Sequence, residues 1–218
     1  MMKLVFRSLL ASLALSISCL AHASAEIRSI QNNTDWNLAG YLSLAQNDPP
    51  KLLGLLEEQF RPEVRKKART HPDMAFAWQD RVALVSALTE LFNPEGKIHV
   101  STDNLKKYRA QAQGLIARVA LEDPALLVRD GAVEAIRRVN RMRPHDAKSW
   151  RKTLETAFMD RQNVMEGEGL FIRETILTAM REASLPLNTS MKKAAELDQN
   201  PKVRGLTKLW STRAFDSL

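Results

Sequence analysis

Residues Glu122–Arg143 read EDPALLVRDGAVEAIRRVNRMR. The stretch opens on Asp123-Pro124, a side chain able to accept a bond from a free helix amide followed by a ring that suits a first helical turn. From Val128 onward Ala132, Ala135, Val139 and Met142 recur at three- and four-residue steps, while Asp130, Glu134, Arg137 and Arg141 fall opposite. The pattern predicts a helix with one packed face and one wet face.

The same signals recur on both sides. Thr34 or Asp35 caps a helix holding Trp36, Leu38, Tyr41, Leu42 and Leu44, which ends before Asn47-Asp48-Pro49-Pro50. Leu52, Leu53, Leu55, Leu56 and Phe60 mark a second helix, interrupted by Pro62. The basic run Arg65, Lys66, Lys67, Arg69 reads as a solvated face, and Thr70-His71-Pro72-Asp73 has capping-box spacing. A long helix carrying Met74, Trp78, Val82, Val85, Leu88 and Phe92 follows, stopped by Asn93-Pro94-Glu95-Gly96. Lys97 to Val100 is loop, and Thr102 or Asp103 caps a helix running to Leu121. Beyond Arg143, Asp146 caps a helix with Trp150, Leu154, Ala157 and Phe158. Asn163 to Gly169 links it to another over Leu170 to Ala183, and Met191 to Leu197 and Pro201 to about Phe215 form a last pair. No segment alternates with the period of two that a strand requires, so the expected fold class is all-α.

Aligning helices on an arginine exposes a shared pattern: Arg81-Val-Ala-Leu-Val-Ser-Ala-Leu88, Arg129-Asp-Gly-Ala-Val-Glu-Ala-Ile136 and Arg173-Glu-Thr-Ile-Leu-Thr-Ala-Met180. In each, the third residue after Arg is apolar, the sixth is Ala and the seventh is a large aliphatic residue. The steps of 48 and 44 residues lie close to the range of two-helix stacking units. Leu115 to Val139, with Asp123, Val128-Arg129, Ala132, Ala135-Ile136 and Val139, resembles a HEAT repeat, closely related to armadillo repeats. Ile172-Arg173 matches its core. The unit at Arg81 has Asp80 in place of the Val. The last unit keeps Asp198 and Val203-Arg204 but puts Thr207 and Trp210-Ser211 where the others have apolar and Ala-aliphatic residues, as a terminal cap would. The resemblance implies a right-handed α-solenoid of antiparallel helix pairs, with units at about 70–92, 102–142, 146–183 and 190–215. It also implies that Asp123, Arg129, Arg173 and Arg204 are structural, ordering loops and stacking.

The first 25 residues form the pattern of an export signal: basic Lys3 and Arg7, an apolar run from Leu9 to Leu20, and Ala23-Ser24-Ala25. The run is shorter than the roughly 20 residues that cross a bilayer, so cleavage after Ala25 is expected, with Ala23 the second choice. Leu15-Ser16-Ile17-Ser18-Cys19 resembles a bacterial lipobox, but Ser16 stands where an aliphatic residue is usual, which disfavours a lipid anchor at Cys19. Cys19 is the one cysteine, so the processed chain would hold no thiol, disulfide or thiolate metal site. Residues 26–33 lack periodicity and read as a flexible arm before one repeat domain over 34–218. The expected location is the bacterial periplasm or the exterior.

With 44% hydrophobic residues the chain is too apolar for disorder. Its 32 basic and 25 acidic residues leave a net charge of +7, and loss of Lys3 and Arg7 with the leader leaves 30 against 25. That surplus favours acidic partners weakly, and the leader argues against nucleic acid. His71, His99 and His145 read as surface loop residues without metal-ligand spacing, and Glu166-Gly167-Glu168-Gly169 as a linker rather than a calcium loop. No cofactor is implied. The expected function is therefore non-enzymatic binding of a protein or peptide, an acidic one, on the concave face. Arg137 and Arg141, with Arg181 eight residues beyond its own repeat arginine as Arg137 is beyond Arg129, form the expected partner site. The alternative is an enzyme or enzyme accessory acting on a cell-envelope polymer or anionic ligand.

Overall fold

The computed structural model describes residues 38–61, 77–163 and 172–211, and among them every regular element is helical. Helix α1 covers 38–47, followed by α2 (Pro49–Gln59), α3 (Ala77–Leu88), α4 (Thr102–Glu122) and α5 (Leu126–Met142). Then come α6 (Arg151–Met159), α7 (Ile172–Glu182), α8 (Thr189–Glu196) and α9 (Pro201–Ser211). None of the described helices is long and apolar enough to cross a membrane. The export signal, the arm, the basic run at 65–69, the capping box and the Gly-containing linker lie outside the described residues.

Helix α5 is the hub, packing against α3, α4 and α7. Its buried residues include Val128, Ala132, Ala135 and Val139 of the expected stripe, but also Val133, Ile136 and Asn140. A helix with neighbours on three sides cannot keep one whole face wet. The nine positions of the arginine-aligned pattern, Leu84, Ala87, Leu88, Ala132, Ala135, Ile136, Ile176, Ala179 and Met180, are all buried. At Gly131 an added Cβ would stand 3.4 Å from a Val82 methyl, within ordinary van der Waals range, so the approach of α3 to α5 there has room for an alanine. Trp150 and Phe158 are the largest fully buried side chains, and the Trp150 ring meets Phe92 edge-on at 6.4 Å.

Several helix starts differ from the sequence expectation. Ser101 rather than Thr102 or Asp103 caps α4, whereas at α2, where only the restart at the two prolines was expected, Asp48 accepts from the Lys51 amide. The segment Pro144–Trp150 winds as a 3-10 helix, with Asp146 bound to Arg143 instead of capping α6. The long helix after residue 77 also tightens to 3-10 over Thr89–Phe92, where the Thr89 hydroxyl donates to the Ser86 carbonyl at 2.6 Å. Asp123 does not cap α5, whose N-cap is Ala125 without a side-chain bond.

Asp123 instead serves two other groups. Its Oδ1 accepts from the Ala125 amide at 2.9 Å, closing the turn between α4 and α5. The carboxylate also receives a fork from Arg81 on α3, Nε to Oδ2 at 2.7 Å and Nη2 to Oδ1 at 3.1 Å, with both side chains buried. The arrangement recurs. Asp160 Oδ1 accepts from the Gln162 amide while Arg129 of α5 reaches Oδ2 at 3.5 Å. Asp198 Oδ1 accepts from the Asn200 amide while Arg173 of α7 binds Oδ2 at 2.6 Å. Arg173 also donates to the Phe158 carbonyl at 2.9 Å and lies 4.9 Å above the Phe158 ring. Arg204, the last of the series, turns back on its own loop and donates to the carbonyls of Asp198 and Gln199. Thr207, at the position where apolar residues were expected, is buried with its hydroxyl donated to the Val203 carbonyl.

The three bonds are unequal. The Arg81 fork is dry and bidentate, whereas among the described residues Arg129 makes one long bond and its Nε has no hydrogen-bond partner, and its Asp160 partner is 30% exposed. Removing one member of a buried pair strands the other charge, at a cost of about 3–5 kcal/mol. Asp123→Ala should therefore lose about 4 kcal/mol of unfolding free energy in urea titration. Asp160→Ala should lose only about 1 kcal/mol, with Asp198→Ala between them. Equal losses at the three sites would contradict the ranking.

Candidate functional site

Two of the three expected arginines, Arg137 and Arg141, meet where α5 packs against α7. Arg137 donates through Nη1 to Glu134 Oε2 at 2.7 Å and through Nε to Glu182 Oε2 at 2.9 Å. Arg141 forks onto the same carboxylate, Nε to Oε2 at 2.8 Å and Nη2 to Oε1 at 2.9 Å. Arg137 and Arg141 are thus joined through one anion from α7 rather than facing each other as bare like charges. Glu134 pairs with Arg137 three residues on, not with Arg138 four residues on, since Arg138 instead donates to Ser86 Oγ on α3 at 3.1 Å. Arg181 precedes Glu182 at the end of α7, and among the described residues its guanidinium makes no hydrogen bond or ion pair.

Electrostatics follow from this geometry. The hydrogen bond from Arg141, then that from Arg137, holds the Glu182 carboxyl below the usual glutamate range. The same bond raises Arg141 above the usual arginine range. Arg137 has 24% of its side chain exposed and Arg141 51%, so Arg141 is the more accessible end of the fork. Glu182 was not anticipated as part of the site. Its one local signal was position: an anion in the last turn of a helix opposes the negative end of the helix dipole, and such a residue needs an external cation.

Asp130, expected on the wet face, lies against α7. It bonds Thr175, and its Oδ1 is buried without a hydrogen-bond partner among the described residues. Burial pushes its carboxyl above the usual aspartate range; the Thr175 bond opposes the rise, and Glu134 and Glu174 add to it. Farther along the same face Lys202 of α9 stands 3.7 Å from Glu174.

The expected structural residues are elsewhere, in the bonds described above, and Asp123 and Arg129 are not partners of each other. His99 and His145 are exposed, with His145 beside Asp146 and Arg143, and His71 lies outside the described residues. Among the described residues no three His, Cys, Asp or Glu side chains are grouped to hold a metal ion. Elsewhere a surface hollow is lined by Gly54, Glu57, Glu58, Phe60, Arg61 and Arg118. There Arg118 covers the Phe60 ring at 5.0 Å and pairs with Glu122. Comparison with known proteins finds no family model, curated protein or solved structure that matches this chain.

Asp130 provides a pH test of the site. Its raised folded-state pKa means that its favourable contribution is complete below the unfolded aspartate pKa of about 3.9 and is lost as pH rises through the folded value. Asp130→Asn should therefore melt above the wild type at pH 7.5, and the difference should shrink as the pH falls toward 4. A constant difference in thermal melts across that range would refute a buried, proton-seeking Asp130.

Proposed function

We propose that the chain is a short right-handed α-solenoid of HEAT-like helix pairs, exported to the periplasm or exterior, that binds a protein or peptide without catalysing a reaction. Three arginine-to-aspartate bonds, each running from one helix to the turn before a later helix, support the stacked arrangement. Each aspartate closes its own turn with the same amide two residues on. In this arrangement α5 and α7 are equivalent helices of successive units, and the surface they share is the partner site.

The observation that carries the binding role is the meeting of Arg137 and Arg141 on one carboxylate at that surface. Arg141 is half-exposed and can exchange its present contact for a partner's acidic group, while Arg181 has no ion pair among the described residues to give up. Guanidinium groups suit that role because their planar fork matches carboxylate geometry. Arg137, held from both sides, positions the fork.

The test is capture from an extracytoplasmic fraction with the processed protein as bait, alongside an Arg141→Ala/Arg181→Ala double variant whose circular dichroism and melting match the wild type. The species retained by the wild type should fall about tenfold with the variant, the scale of charged-pair losses at interfaces. Equal retention, or no specific species, would defeat the binding role. N-terminal sequencing of the exported protein should begin at Glu26, and a cytoplasmic, unprocessed chain would defeat the assignment of compartment.

A further inference from the structure

The arginine fork is already filled. Glu182 sits at the last position of α7, where the helix dipole repels an anion, and its carboxylate receives three guanidinium bonds of 2.8–2.9 Å from α5. The end of α7 is held firmly. The Leu185 amide donates to the Met180 carbonyl at 2.9 Å and the Ser184 amide to that of Arg181, closing the helix through Ser184 at φ 52°. A left-handed backbone at a residue other than glycine is costly, and this one fixes where Arg181 and Glu182 stand. The contact is nevertheless accessible, with Arg141 51% and Glu182 30% exposed.

A carboxylate bound bidentately by one arginine and touched by a second is the geometry in which an acidic side chain from another molecule would be held. We propose that Glu182 is a built-in competitor: it occupies the Arg137–Arg141 fork in the free protein and is displaced by an acidic side chain of the partner. This rests on the binding role proposed above and specifies its chemistry. The partner's recognition element is a cluster of carboxylates, and the internal glutamate sets the threshold that a weakly acidic ligand fails to pass.

Removing the competitor should strengthen binding. With a short poly-L-glutamate peptide as probe, titrated calorimetrically at fixed ionic strength, Glu182→Ala should bind about threefold to tenfold more tightly than wild type, the scale of an accessible ion pair withdrawn from competition. Glu182→Gln, which keeps the side-chain shape, should show the same direction and stands in if the alanine variant folds poorly. Adding Arg141→Ala to Glu182→Ala should abolish the gain. Glu155→Gln changes net charge equally but sits in a separate pair with Arg151, so it should bind like the wild type. Equal affinity of wild type and Glu182→Ala overturns the competitor while leaving the binding role standing. So does an equal gain in Glu155→Gln, or a gain that survives Arg141→Ala. Absence of peptide binding by every variant overturns both.

Discussion

A buried carboxylate shared between a turn and a distant arginine is the contact on which the arrangement of helices depends. Asp123 shows why the residue types are so specific. Its side chain is short enough to reach the amide two residues on, yet keeps lone pairs for a guanidinium arriving from α3. Asparagine could close the turn but would carry no charge to balance Arg81. Lysine in place of Arg81 could supply charge but not two parallel donors. Because both groups are dry, each is tolerable only while the other is present. The pair therefore enforces correct seating of α3 against the α4–α5 turn more than it adds net stability.

Around that constraint the core is assembled from alanines and aliphatics at fixed places on α3, α5 and α7. Alanine allows close helix approach, and the large residue that follows it fills the space beside it. With α5 enclosed by α3, α4 and α7, polar groups on its remaining side are pressed against α7. That accounts for the half-buried Asp130 and for the chain of charges from Glu134 through Arg137 and Glu182 to Arg141. The site is a product of packing: the same helix contact that buries Ile136 and Ile176 brings its charged members together.

Much of the helical content was legible in the sequence because a periodicity of 3.6 residues is a local property. Most breaks between helices fall near the expected Pro, Asn and Gly clusters. The arginine alignment also picked out the residues that bear the buried bonds. It could not pair them, since the partners lie 42, 31 and 25 residues apart and nothing local distinguishes Asp160 from Asp123 as the acceptor for Arg129. A helical wheel around α5 placed Asp130 in water because a wheel assumes one packed side. Glu182 escaped notice for a related reason: its role comes from two arginines on a different helix. Caps were misplaced where a neighbouring polar residue could serve equally well, as Ser101 does for α4.

The slack bond at Arg129 has a mechanical consequence. The bonds at Arg81 and Arg173 are short and well anchored, while the one between them is long, single and partly wet. A load that bends the molecule is taken up first at its most compliant seam, where α5 meets the turn after α6. That seam is carried on the same helix as Arg137 and Arg141.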